Sequence, residues 1–209
     1  MSTARALLAR STPLWHRLTT HPFVTGVADG TLDPAGFDRW LVEDHAFVVG
    51  FRRFLAGLVT LAPDARAGDV LTAGLGPLQG ELDLFRREAA NRRLDLGAEP
   101  GPTTLGYTSY LYASLSDGYP VALTVLYGAE KAYYDAWAAV RSAARHSSPY
   151  WSFVDNWSSD AFAGWVAAVA RLLDAAAPTG PAPAMCTAFD RVVRFELRFW
   201  DAVHVGEAW

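Results

Sequence analysis

The sequence predicts an all-α bundle of about seven or eight helices. Apolar residues recur every three or four positions along most of the chain, the spacing of one helical face. Proline, glycine and capping residues fall mainly at the ends of these periodic stretches, and no run of alternating β-branched residues suggests a strand. A chain of 209 residues can bury one substantial core, and no repeat or low-complexity stretch divides it. A single domain over residues 1–209 is therefore expected.

Taken in order, residues 3–20 read as a helix re-started at Pro13, with Leu7, Leu8, Leu14, Trp15 and Leu18 inward. His21-Pro22-Phe23 leads into a short amphipathic piece that stops at Asp29-Gly30. Asp33 as N-cap and Pro34 at the first helical position open a long helix to about Leu61. Its apolar face is Phe37, Trp40, Leu41, Phe47, Val48, Phe51, Phe54, Leu55 and Leu58. A helix over 66–93 turns Val70, Leu71, Leu75, Leu78, Leu82 and Phe85 inward; Gly74, Gly76, Pro77 and Gly80 predict a kink or a close crossing. After a loop over 94–102, Thr103 or Thr104 caps a helix with Tyr107, Tyr110, Leu111 and Ser114 along one side. Pro120 begins a helix to about Ala144, with Leu123, Leu126, Tyr127, Tyr133, Tyr134 and Trp137 on its stripe. Residues 150–157 make a short helical turn. Ser159 caps the next helix, which continues over 162–177 with Trp165, Val166, Val169 and Leu172 inward. A proline-rich linker over 178–183 precedes the last helix. There Phe189, Val192, Val193, Phe199, Trp200 and Val203 form the buried stripe, and Arg191, Arg194 and Arg198 an exposed row.

Composition excludes several function classes. The net charge is −4 and the 18 Lys and Arg are scattered, which is no footprint for nucleic acid. The N-terminus lacks the apolar core of a signal peptide, and no apolar run approaches the roughly 18 residues of a membrane span. A soluble, cytoplasmic protein is expected. The one cysteine, Cys186, allows no internal disulfide and no multi-cysteine zinc site.

Three acids stand where apolar residues belong. Asp44 lies seven residues after Phe37 and seven before Phe51; Glu130 lies four after Leu126 and seven before Trp137; Glu196 interrupts the final stripe. A buried carboxylate needs a partner, a hydrogen bond or a proton. Each could be satisfied separately by an arginine, a tyrosine or a helix end. Three on three helices, beside Tyr107 and Tyr110, favour one polar pocket in an aromatic core. A di-metal carboxylate site would need Glu-x-x-His pairs from two helices, and only Asp201-x-x-His204 approaches that spacing, so no metal or cofactor is expected. Cys186 lies ten residues before Glu196, roughly 15 Å along a helix, and reads as a small core residue. The chemistry open to such a pocket is carboxylate-activated attack of water.

The motifs resemble the TenA family, the thiaminase II group of the haem-oxygenase-like helical fold. His21-Pro22-Phe23, Gly30-Thr31-Leu32 and Trp40-Leu41-Val42-Glu43-Asp44 are similar to its opening motifs, with Glu43 where glutamine is usual. Phe195-Glu196-Leu197-Arg198-Phe199-Trp200 resembles its closing segment, and Tyr107-Thr108 the motif of a substrate-facing tyrosine. Better-known members carry a cysteine nucleophile where this chain has Leu126-Tyr127-Gly128-Ala129-Glu130-Lys131, a pattern similar to the cysteine-less TenA-E branch. Phe47 and Trp157 stand where tyrosines are common. The resemblance implies salvage of the pyrimidine half of thiamin, with Asp44 on the pyrimidine, Glu196 as acid/base, Tyr107 orienting it and Glu130 activating water. Phe47, Tyr133, Trp157 and Phe199 would contact the ring. It also implies a homodimer or homotetramer. A non-catalytic pyrimidine or small-ligand binder and a metal-dependent oxygenase on the same scaffold are the competing expectations.

Overall fold

The computed structural model describes residues 1–143 and 149–209. These form eleven α-helices: α1 (Thr3–Arg10), α2 (Thr12–Thr19), α3 (Pro22–Asp29), α4 (Pro34–Thr60), α5 (Ala65–Ala73), α6 (Leu75–Arg92), α7 (Pro102–Leu115), α8 (Tyr119–Ala143), α9 (Trp151–Trp157), α10 (Asp160–Ala176) and α11 (Pro183–Val205). No strand occurs among the described residues. The all-α expectation holds, but eleven elements replace seven or eight. The re-start near Pro13 is a full break at Ser11, which ends α1 and precedes α2. The expected kinked helix over 66–93 is two helices, because Gly74 both ends α5 and begins α6. Pro77 has no N–H for the carbonyl of Ala73 and its ring would crowd that carbonyl.

Smaller corrections have equally local causes. Helix α7 begins at Pro102 behind Gly101, so Thr103 and Thr104 lie inside its first turn instead of capping it. Helix α11 starts at Pro183, which the linker was expected to include; proline is at ease in the first turn, where its missing N–H costs nothing. Leu173, and not Leu172, is buried on α10. The expected end near Ala144 lies outside the described residues.

Two compact units emerge, Met1–Leu32 with Pro120–Leu197, and Asp33–Tyr119 with Arg198–Trp209. In the first, every residue of α8 from Val121 to Glu130 is buried. Helix α11 can approach it because Gly128 has no side chain: a Cβ there would stand 2.9 Å from Val192 Cγ1. Phe189 of α11 stacks against Trp15 and Tyr127 at centroid separations of 5.6 and 6.2 Å. Trp15 donates its indole N–H to Asp135 at 2.9 Å, and Lys131 reaches the other oxygen of that carboxylate. Helix α1 is tied to α10, whose Asp174 accepts the Ala4 N–H at 2.9 Å. The His21-Pro22-Phe23 motif is a helix start: His21 Nδ1 accepts the Phe23 N–H at 3.1 Å and Pro22 opens α3.

In the second unit α4 packs against α5, α6 and α7. Asp33 caps it by accepting the Ala35 N–H. Helix α7 comes close where α4 has glycine; a Cβ at Gly50 would stand 2.8 Å from Thr108 Cγ2, and one at Gly57 2.7 Å from Leu115 Cδ1. Tyr112 donates its hydroxyl to the Gly50 carbonyl at 3.1 Å. On the α6 side Arg92 donates to Asp38 at 2.8 Å and lies 5.0 Å from the Phe37 ring centre.

The glycine crossing is directly testable. Gly128→Ala should lower unfolding stability by about 1–3 kcal/mol through overpacking. Adding Val192→Ala should make the double variant lose less than the sum of the single losses, measured by denaturant unfolding.

Candidate active site

The three inward acids are buried as expected: Asp44 on α4 is 1% exposed, Glu130 on α8 8% and Glu196 on α11 2%. In the first unit, Glu130 Oε1 accepts the indole N–H of Trp165 on α10 at 2.7 Å. That donor is neutral, so it fixes the carboxylate oxygen without lending a positive charge. Tyr133 lies one turn beyond Glu130 on α8, on the same side of the helix. Its ring meets Trp157 edge-on at 5.4 Å, and Trp157 in turn stacks on Trp137 at 5.5 Å and Phe153 at 5.9 Å. Tyr133 and Trp157 are thus brought together. Glu196 follows Val192, the residue that meets Gly128, by one turn of α11.

In the second unit, Asp44 and Phe47 share a side of α4, three residues apart. The Phe47 ring contacts Tyr107 of α7 at 4.8 Å and Phe199 at 6.1 Å, so these three aromatics are assembled as a group. Tyr107 and Phe199 are both buried. Glu43, the residue beside Asp44, turns the other way: both of its carboxylate oxygens accept the Gly101 N–H, at 3.1 and 3.2 Å, at the start of α7.

Two polar features of the interior escape sequence reading. Trp165 reads only as one more apolar residue of its stripe; it is half-buried, and its indole N–H finds its acceptor on another helix. Glu81 on α6 is a fourth buried acid. It lies three after Leu78 and four before Phe85, the same interruption that marks the other three. His45, next to Asp44, packs edge-on against Phe85, and its Nδ1 is buried without a hydrogen-bond partner among the described residues. Burial, and secondarily the charge of Arg86, hold its imidazole below the ordinary histidine pKa of 6.5. Among the described residues no three His, Cys, Asp or Glu side chains gather as a metal-binding group, and no helix is long and apolar enough to cross a membrane.

Comparison with known proteins places the chain in a lineage. The model of the TENA/THI-4/PQQC family matches residues 8–205. The chain belongs to this family. An aminopyrimidine aminohydrolase from Halalkalibacterium halodurans is 26% identical over 226 residues, covering 100% of this chain and 98% of its own. The crystal structure of a TenA homologue from Pyrococcus furiosus superposes with a TM-score of 0.92 at 30% identity, over 96% of this chain and 99% of that one. A domain from Shewanella denitrificans with a heme oxygenase-like fold shares the architecture, with a TM-score of 0.72 at 17% identity over 98% of this chain and 96% of that one. The family fold is the haem-oxygenase-like helical bundle that the motifs imply.

Two outcomes follow from the geometry. Trp165→Phe removes the donor to Glu130 and should cost about 1–3 kcal/mol in unfolding stability. Much of that loss should vanish in a Glu130→Leu background, where no acceptor remains for the indole, as a double-mutant cycle would register. For His45, the unfolded chain binds the proton first as pH falls below about 6.5, so its stabilising contribution is complete above that value and is lost as pH drops toward the folded-state pKa. Stability measured from pH 8 to pH 5 should therefore fall less steeply in His45→Gln than in the parent.

Proposed function

We propose that this protein is a cysteine-independent aminopyrimidine hydrolase of thiamin salvage, cleaving a carbon–nitrogen bond in an aminopyrimidine or its N-formyl derivative. The observation that carries this reading is the burial of Asp44, Glu130 and Glu196 at the positions where the family resemblance calls for a pyrimidine-binding acid, a replacement for the nucleophile, and an acid/base. The end-to-end match to an aminopyrimidine aminohydrolase supports it. Cys186, near the start of α11, is half-exposed and not the small core residue that the sequence suggests.

In this reading Glu130 takes a proton from water as the water oxygen bonds to the reacting carbon. The carbon–nitrogen bond breaks, and Glu196 delivers a proton to the departing nitrogen; exchange with solvent then restores both acids. Asp44 holds the pyrimidine amino group and ring nitrogen, and Tyr107 has the orienting role that the resemblance implies. Phe47, Tyr133, Trp157 and Phe199 supply the aromatic surfaces for a flat heterocycle. The Trp165 indole holds one oxygen of Glu130 in place through a neutral donor. The same resemblance supports a cytoplasmic homodimer or homotetramer, which sedimentation analysis would count.

Purified protein incubated with aminopyrimidine, formylaminopyrimidine and thiamin should turn over at least one of the two aminopyrimidines. Tight binding of all with no product would make it a binding protein. Glu196→Gln should lower kcat by about 10²–10⁴-fold with helicity and unfolding midpoint retained, because a neutral isostere leaves no uncompensated buried charge. A collapse of helicity instead would assign Glu196 to the scaffold.

A further inference from the structure

Helix α7 carries Tyr107 yet supplies no side-chain cap of its own. Its first amides are served by two carboxylates from elsewhere. Glu43 of α4 accepts the Gly101 N–H. Glu207, past the end of α11, takes two donors from one residue: Oε1 accepts the Thr103 N–H at 2.9 Å, and Oε2 accepts the Thr103 hydroxyl at 2.8 Å. Negative charge is favourable at this end of a helix, where backbone N–H groups point outward.

The segment bearing Glu207 is itself held. Arg39 of α4 donates from Nε to the Val203 carbonyl at 3.0 Å and from Nη2 to the His204 carbonyl at 2.6 Å, tying down the last turn of α11. Gly206 then takes φ +85°, a left-handed conformation that turns the chain out of the helix. Trp209 donates its indole N–H to the Pro100 carbonyl at 3.3 Å. The fit is close: a Cβ at Gly101 would lie 2.6 Å from Glu207 Oε1. Thr103 and Tyr107 are four residues apart, one above the other on α7. A rotation or slide of α7 at Thr103 is therefore passed directly to the ring that meets Phe47.

We propose that Glu207 is a positioning residue, and that the segment after α11 is a strap which, with Glu43, sets the rotation of α7 and so the placement of Tyr107 against Phe47. The inference rests on the reading of Tyr107 as an orienting residue. It adds to that reading a second set of carboxylates, Glu43 and Glu207, whose work is to hold a helix and not to move protons.

Amide hydrogen exchange and steady-state kinetics on the full chain test it together. In Glu207→Ala, the amides of Gly106 and Tyr107, which Glu207 does not itself bond, should exchange faster while those of α4 from Phe51 to Leu58 keep their protection. The value of kcat/KM for an aminopyrimidine should fall by about ten- to a hundredfold, the scale of a small misplacement in a reacting site. Glu207→Gln, which keeps an acceptor for Thr103, should recover most of the loss. In a Tyr107→Phe background Glu207→Ala should have little further effect. Unchanged exchange at Gly106 and Tyr107 would overturn the strap, and losses that simply multiply with those of Tyr107→Phe would overturn its action through Tyr107. A parent protein without turnover would sink the hydrolase reading alone, and the exchange measurement would still decide the strap.

Discussion

A carboxylate withdrawn from water must be given donors to replace its lost hydration, or it destabilises the fold that buries it by several kcal/mol. This chain accepts that constraint on α4, α6, α8 and α11, through Asp44, Glu81, Glu130 and Glu196. Helices that need only pack against each other would carry leucine at these positions. The chain also contains charge pairs of the ordinary kind, Lys131 with Asp135 and Arg92 with Asp38, both nearer the surface. The indole on Glu130 is a different solution. It satisfies one carboxylate oxygen through a neutral donor.

Aromatic side chains carry much of the remaining packing. Phe189 draws together rings of α2 and α8 in one unit, and Phe47 draws together rings of α7 and α11 in the other. Rings tolerate the close helix approaches because glycine sits at the crossings, at Gly128 on α8 and at Gly50 and Gly57 on α4. Val192, Thr108 and Leu115 occupy the space that the missing side chains leave.

Much of this is legible in the sequence, for a definite reason. A 3.6-residue period exposes any polar residue placed inside it, so Asp44, Glu130 and Glu196 stand out without reference to another helix. Glu81 is marked in the same way but lies among Gly76, Pro77 and Gly80, which blur the phase of its stripe. The helix starts at Asp33 and Ser159 are readable because their signals are local. The start of α7 is not, because the groups that complete it lie far along the chain, Glu43 at a separation of 58 residues and Glu207 at 104. Trp165 and Glu130 are 35 residues apart on different helices, and no period connects them. One-dimensional patterns reveal what a helix does with its own faces; they are silent on which distant donor a given acceptor finds.

The contact between Gly128 and Val192 has an implication for how chains of this kind can diverge. It acts as a reference mark common to α8 and α11, with Glu130 two residues beyond it on one helix and Glu196 four beyond it on the other. Insertion of a single residue between Gly128 and Glu130 would leave the mark in place but swing the carboxylate by about 100° around the axis, out of the interior. The loop between α6 and α7 can change length without such a penalty. Side-chain identity near the mark is open to change; the count of residues is not.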